Sequence, residues 1–369
     1  MAIYIVGGAI RDLLLNKRPH DIDYVFSEPV AIFLAQHPKA KKVGHEKEIY
    51  IYHGSEYAPL FAGDIQQDLL NRDLTINALA LGEDGRLYTH PETLSDLKGQ
   101  IFRATNPKAF IKDPTRIFRL ARFSAEMPTW TIAEATKELL ASFPKKLLGT
   151  IAAERVGNEL LKALASPAPA AFFELLATYD LLDPWFSELA IARNIPAGPA
   201  AYHSGTVFTH TLRVLTACSG DTLAAWMAIC HDLGKITTEA HILPHHYGHE
   251  DRGIEIANTL ANRLVLPTCY RKAGKTAAKE HMRGGIYPSM RVGRRRDLVW
   301  LIHRQGLTEP FWKVVDADSR QNISALAKED LQAIVDIHLP KEFQNLGKES
   351  QEKLRMLQCR ALALKVHGK

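Results

Sequence analysis

Ile3-Tyr-Ile-Val-Gly-Gly-Ala-Ile-Arg-Asp-Leu-Leu-Leu-Asn-Lys-Arg-Pro-His-Asp-Ile-Asp-Tyr-Val25 is the stretch around which the chain is organised. The apolar run Ile3 to Val6 reads as a buried strand that stops at Gly7-Gly8. Ile10, Leu13 and Leu14 then recur at helical spacing, so a helix starts just after the glycines. A strand feeding a helix through Gly-Gly lets backbone N–H groups approach a phosphate closely, and Arg11 on the first helical turn adds a positive charge. The second strand is expected to open with Asp21-Ile22-Asp23. Strand periodicity would project Asp21 and Asp23 together and turn Ile22 to the core. Two carboxylates on a rigid strand beside a phosphate-binding turn suit Mg²⁺-dependent phosphoryl or nucleotidyl transfer.

The 369 residues exceed one ordinary core, so two or three domains are expected. A formal net charge of +5 permits an anionic partner without demanding one. Cys218, Cys230, Cys269 and Cys359 show no CxxC pairing and read as reduced thiols of a cytoplasmic protein. No segment approaches a membrane span, so no membrane partner is expected, and oligomeric state is left open.

Ile49–Tyr52, Leu79–Leu81 and Leu87–Tyr88 read as further strands, the last two joined by Glu83-Asp84-Gly85. From Lys112 onward the apolar spacing is helical, and Ile195-Pro-Ala-Gly-Pro199 reads as a linker before a His-rich helical region. The expected fold class is α+β: a small mixed-sheet head at 1–111, a helical neck and body at 112–195, an all-α domain at 200–325, and closing helices at 326–369. Within the head, Asn71-Arg-Asp-Leu-Thr-Ile-Asn77 sets polar groups among packable residues. Asn77 can read a ribose hydroxyl there, and Arg72 can neutralise triphosphate oxygens. Pro114 suits a helix start with Asp113 as its N-cap, and Arg116, Arg119 and Arg122 would then line a solvated basic face.

In this order, GGAIRDLLLNKRPHDIDYV, RDLTINALA, the DLKG turn and DPTRIFRLARF resemble the bacterial CCA-adding tRNA nucleotidyltransferases. These belong to the polymerase-β-like nucleotidyltransferases. The resemblance implies Asp21 and Asp23 as the catalytic, Mg²⁺-binding pair. It implies Gly8 and Arg11 as triphosphate contacts, Arg72, Arg116 and Arg119 as further nucleotide contacts, and Asp113 with Arg116 as the base-selecting pair. Cytosine and adenine both set an amine donor beside a ring acceptor, so one carboxylate–guanidinium pair can accept both and reject uracil and guanine. The implied partners are tRNA, CTP and ATP.

Two features depart from the family pattern. Lys112 stands where the family has an acidic residue before Asp113, and the segment between Tyr57 and Asp68 is too short to contain the family's flexible loop. That loop is linked to the switch from CTP to ATP, so a CC-only enzyme is the alternative to full C, C, A addition. A poly(A) polymerase and a non-catalytic tRNA-binding protein are the remaining readings.

A second constellation comprises His210, His231-Asp232-Leu-Gly-Lys235, His246, His249, His281 and Asp318. Imidazoles beside a carboxylate suit a divalent cation. His-Asp-Leu-Gly-Lys resembles the HD superfamily of metal-dependent phosphohydrolases. That resemblance implies His210, His231, Asp232 and Asp318 as ligands of a divalent metal whose identity the pattern does not give. His246, His249 and His281 are candidates for a second metal or for phosphate contacts.

Overall fold

Residues 2–19, 21–43, 48–200 and 205–367 are described by the computed structural model. The chain divides into two units, Met1–Ile151 and Ala152–Lys369.

In the first unit the run Ile-Tyr-Ile-Val forms strand β1 (Ile3–Val6), an interior strand of a seven-stranded mixed sheet. The others are β2 (Asp23–Phe26), β3 (Lys41–Val43), β4 (Ile49–Tyr52), β5 (Ser55–Pro59), β6 (Leu79–Gly82) and β7 (Leu87–Thr89), in the order β3-β4-β5-β2-β1-β6-β7. β1 runs antiparallel to both β2 and β6, whereas β2 pairs with β5 in parallel. Helices α1 (Gly8–Leu14), α2 (Val30–Gln36), α3 (Ile65–Leu70) and α4 (Thr93–Gly99) accompany the sheet. Val6, Val25, Leu60, Ile65, Leu69, Ala78 and Ala80 close one core cluster, which pins the ends of β1, β2 and β6 together. Phe26 and Phe33 stack with ring centroids 4.1 Å apart in a second cluster.

The β1–β2 register runs Ile3↔Phe26 to Val6↔Asp23 and ends there, because the chain turns at Gly7. This corrects the expected start of β2. Asp21 and Ile22 have no partner strand, and Ile22, expected in the core, is 39% exposed. A further small element was not legible: β8 (Ile101–Phe102) pairs in parallel with β9 (Thr131–Ile132) across the neck helix.

After the single turn α5 (Ala109–Lys112) comes that neck helix, α6 (Thr115–Glu126), with Pro114 as its N-cap residue. Asp113 acts one position early: its Oδ1 accepts the Thr115 N–H at 3.2 Å. The arginines of α6 do not form a solvated face. Arg122 is buried, stacked over Phe123 and paired with Glu126, while Arg116 and Arg119 turn toward the head. Helix α7 (Glu134–Ala141) follows.

The helices of the second unit among the described residues are α8 (Ala153–Leu164), α9 (Ala170–Thr178), α10 (Ser187–Ala192), α11 (Val207–Ala217), α12 (Thr222–Cys230), α13 (His249–Arg263), α14 (Thr268–Gly285), α15 (Val292–Arg304), α16 (Thr308–Ser319), α17 (Ile323–Val335) and α18 (Lys348–His367). α12 is apolar all round and buried from Ala224 to Cys230, as expected of a central helix, with α11, α14 and α16 packed on it. Ile195–Pro199 is not a free linker. Ala197 is buried, Pro196 bridges to Thr206, and the Ala197 carbonyl accepts from Lys235 Nζ at 2.9 Å. No helix among the described residues is long and apolar enough to cross a membrane.

Candidate active sites

In the first unit the site grows from Gly7. Its φ of 73° and ψ of −131° lie where side chains are strained, and a Cβ there would come within 3.1 Å of an Arg72 Nη atom. The glycine therefore lets a guanidinium close over the β1–α1 turn. The register places Asp23 opposite Val6, immediately beside that turn, and Asp21 two residues further out; both are exposed. Two water-accessible carboxylates are a donor set for a hard oxygen-seeking cation such as Mg²⁺, which retains several waters.

Arg11 bonds Asp12 through Nε and Nη2, and donates from Nη1 to Asn77 Oδ1 at 2.7 Å. Asn77 is buried and in turn donates to Asp73 Oδ1 at 3.1 Å, so its amide works inside the wall of the site and not at its surface. Arg72 pairs with Asp68 at 2.9 Å. Arg119 reaches Asp73 Oδ2 at 2.8 Å. Arg116 donates to the carbonyls of Asn71, Arg72 and Ala109, leaving two of its five N–H groups for other partners. Asp113 adjoins Arg116 through the first turn of α6, where the Arg116 N–H meets the Asp113 carbonyl at 3.1 Å.

Asp73 is the hub that residue-type reasoning left unassigned. Burial alone would raise its pKa, but Arg119, the Leu74 N–H, Asn77 and Arg116 together hold it at about 2. One carboxylate thus ties α6 to Asn77 and, through it, to Arg11. The available signal was position: Asp73 directly follows Arg72 and stands four residues before Asn77.

The second unit gathers a denser cluster. Asp232 Oδ2 lies 3.4 Å from both His210 Nε2 and His231 Nε2, while its Oδ1 lies 3.4 Å from His249 Nε2 and 3.3 Å from His281 Nε2. Asp318 Oδ1 is 3.0 Å from His210 Nε2. One buried carboxylate therefore presents an oxygen to each of two histidine pairs. Within each pair the Nε2 atoms are 3.2 Å apart. His231, His249 and His281 turn Nδ1 to backbone carbonyls of Ala228, His246 and Ala277, an arrangement that assigns the proton to Nδ1 and the lone pair to Nε2. For His249 and His281 two lone pairs then face each other, an arrangement suited to a cation between them. Nitrogen and carboxylate donors in this number suit a transition metal or zinc. His231-Asp232-His210 and Asp232-His249-His281 each form a compact ligand triplet.

Three residues, two of them inside the His-Asp-Leu-Gly-Lys motif, shape this cluster without having been given a role from the sequence. Lys235 Nζ sits 2.8 Å from Asp232 Oδ2, and with His231 it outweighs burial to hold that carboxyl well below the usual range. Gly234 permits α13 to approach: a Cβ there would lie 1.9 Å from the His249 carbonyl. Arg213, one turn after His210, directs Nη2 at His210 Nδ1 at 3.3 Å. Among the described ligand candidates, His210 thus differs from His231, His249 and His281 in having its Nδ1 faced by a donor and not by a backbone carbonyl. His246 does not join the ligands. Its Nε2 faces the Pro196 carbonyl and its Nδ1 the Thr238 hydroxyl, each at 2.8 Å, so both ring nitrogens are occupied.

Residues 3–57 match the family described as the poly A polymerase head domain, 130–192 that described as the probable RNA and SrmB-binding site of polymerase A, and 207–345 the HD domain. The multifunctional CCA protein of Pasteurella multocida is 36% identical over 314 residues, 76% of this chain and 74% of that protein. The one from Alkalilimnicola ehrlichii is 33% identical over 356 residues, 87% and 84% of the two chains. The chain belongs to the multifunctional CCA protein family. It is accordingly an enzyme, a tRNA nucleotidyltransferase with an HD domain. Its fold is that of the Thermotoga maritima CCA-adding enzyme solved in complex with tRNA, at a TM-score of 0.65 and 19% identity, covering 100% of this chain and 88% of that one. An apo tRNA-processing enzyme gives 0.66 at 20% identity, covering 97% and 92%.

Proposed function

We propose that the chain extends the 3′ end of tRNA without a template, adding two cytidines from CTP and, where its pocket can be retuned, adenosine from ATP. The observation that carries this reading is the register that sets Asp23 beside the Gly7-Gly8 turn, with Arg72 closing over Gly7. Gly8, Arg11 and Arg72 bind the triphosphate, with Asn77 holding Arg11 in position and Asp73 holding Arg119. Asp113 and Arg116 read the base edge. Asp21 and Asp23 hold Mg²⁺, which when bound supplies activation of the tRNA 3′-hydroxyl and charge neutralisation at the departing pyrophosphate. In the HD domain we assign His210, His231, Asp232 and Asp318 to one divalent cation and Asp232, His249 and His281 to a second, serving phosphoester hydrolysis.

A specific observation favours the CC-only reading. Only Leu60 to Asp64 separates β5 from α3, and these residues are tied down. Leu60 N–H bonds the Phe26 carbonyl at 3.0 Å, and Asp64 caps α3 through the Gln66 and Gln67 N–H groups. Lys112 closes on the same segment, its Nζ 5.9 Å from the Phe61 ring centroid and 2.9 Å from Asn71 Oδ1. A segment held in this way supplies no mobile element to retune the pocket. The test is a tRNA already ending in CC, given ATP alone. Adenosine addition far slower than cytidine addition supports CC-only activity, and a comparable rate removes it.

A further inference from the structure

Helix α14 carries the ligand candidate His281 on its buried face and a file of cations on its outer one. Arg271, Lys275 and Lys279 recur every fourth residue, about 6 Å apart along the axis, with Lys272 beside them. They line an open groove of about 650 Å³ between α13, α14 and Gln305 at the end of α15. Three of these four cations face no carboxylate among the described residues. Among the described residues Arg271 bonds the neutral Asn262 and Thr268 side chains, and Lys272 the Gln305 carbonyl. Lys275 has no carboxylate partner among the described residues. Lys279 pairs with Asp251, and the one acid lining the groove, Glu280, is neutralised by Arg283.

We infer that this groove binds the phosphodiester backbone of the RNA substrate. The spacing suits successive phosphates of one strand, and a row of cations with neutral hydrogen-bonding neighbours is the usual backbone contact. The helix that forms one wall of the groove also packs against the segment matching the RNA-binding family. α13 packs on α8, within the segment matching the RNA-binding family, since a Cβ on Gly157 would lie 2.2 Å from the Leu264 carbonyl that ends α13. Arg263 of α13 pairs with Glu188 of that segment at 2.6 Å. The inference rests on the proposed tRNA activity only for naming the RNA.

The test uses the full chain and measures labelled tRNA binding across a salt series for wild type, Lys275→Ala and the double variant Arg271→Ala/Lys275→Ala. Each removed cation should flatten the dependence of log K on log salt by about 0.7 to 0.9 and weaken binding several-fold near 0.1 M salt. tRNA should also shield Lys275 from an amine-reactive reagent, whereas ATP or inorganic phosphate should not. Unchanged slopes in a chain that still adds nucleotides would overturn the groove alone. Shielding by ATP or phosphate in place of tRNA would overturn it in favour of a small-anion site. Lysine-dependent binding without any nucleotide addition would support the groove and refute the proposed function.

Discussion

Replacing Asp73 with Asn separates the hub of the head from its charge while keeping its shape. The carboxyl falls from its ordinary 3.8 to about 2 on folding. At about 1.36 kcal/mol per unit, this difference stabilises the folded unit by about 2 kcal/mol at neutral pH. The sign follows from a depressed folded-state pKa. The contribution is complete above the unfolded value of 3.8 and is lost as pH falls through about 2. Urea unfolding followed by far-ultraviolet circular dichroism should therefore place Asp73→Asn about 2 kcal/mol below wild type at pH 7 and at pH 5. The gap should narrow between pH 4 and pH 2. Freed from Asp73, Arg119 and the Asn77–Arg11 pair should also lose their fixed positions, raising KM for CTP. A gap below about 0.5 kcal/mol at pH 7, or one that stays constant down to pH 2, would refute the ion-pair account of this hub.

Asp21→Ala and Asp23→Ala, at exposed positions, should abolish nucleotide addition and shift stability by no more than about 0.5 kcal/mol in the same unfolding assay. Gly7→Ala should cost about 1–3 kcal/mol through its backbone conformation and displace Arg72, read as a lower melting temperature with weaker CTP binding. His231→Ala or Asp232→Ala should remove metal-dependent hydrolysis of small phosphoesters while sparing nucleotide addition. His249→Ala should lower the metal bound per chain from two ions to one, counted by elemental analysis after dialysis.

The sheet strands around Gly7 were legible because their side chains carry the pattern that pairs them: apolar Ile3 to Val6, then a glycine turn. The start of β2 was not, because a strand's length depends on its neighbour's, and β1 ends at Val6. The solvated face expected of Arg116, Arg119 and Arg122 failed for a related reason. Helical spacing fixes where guanidiniums emerge, but the buried Asp73 and the carbonyls after α3 that receive them belong to a distant segment. The histidine cluster was readable in residue type and not in division. That Asp232 serves two histidine pairs depends on Gly234 admitting α13, and that His246 drops out depends on the Pro196 carbonyl arriving from the supposed linker.

Template-free addition is read out by offering a tRNA that ends at its discriminator base to the purified chain with Mg²⁺ and one nucleotide at a time, and sizing the products on a sequencing gel. Extension by two residues with CTP, none with UTP or GTP, and none with CTP in Asp21→Ala is the predicted result. No extension with CTP, or equal extension with UTP, would contradict it.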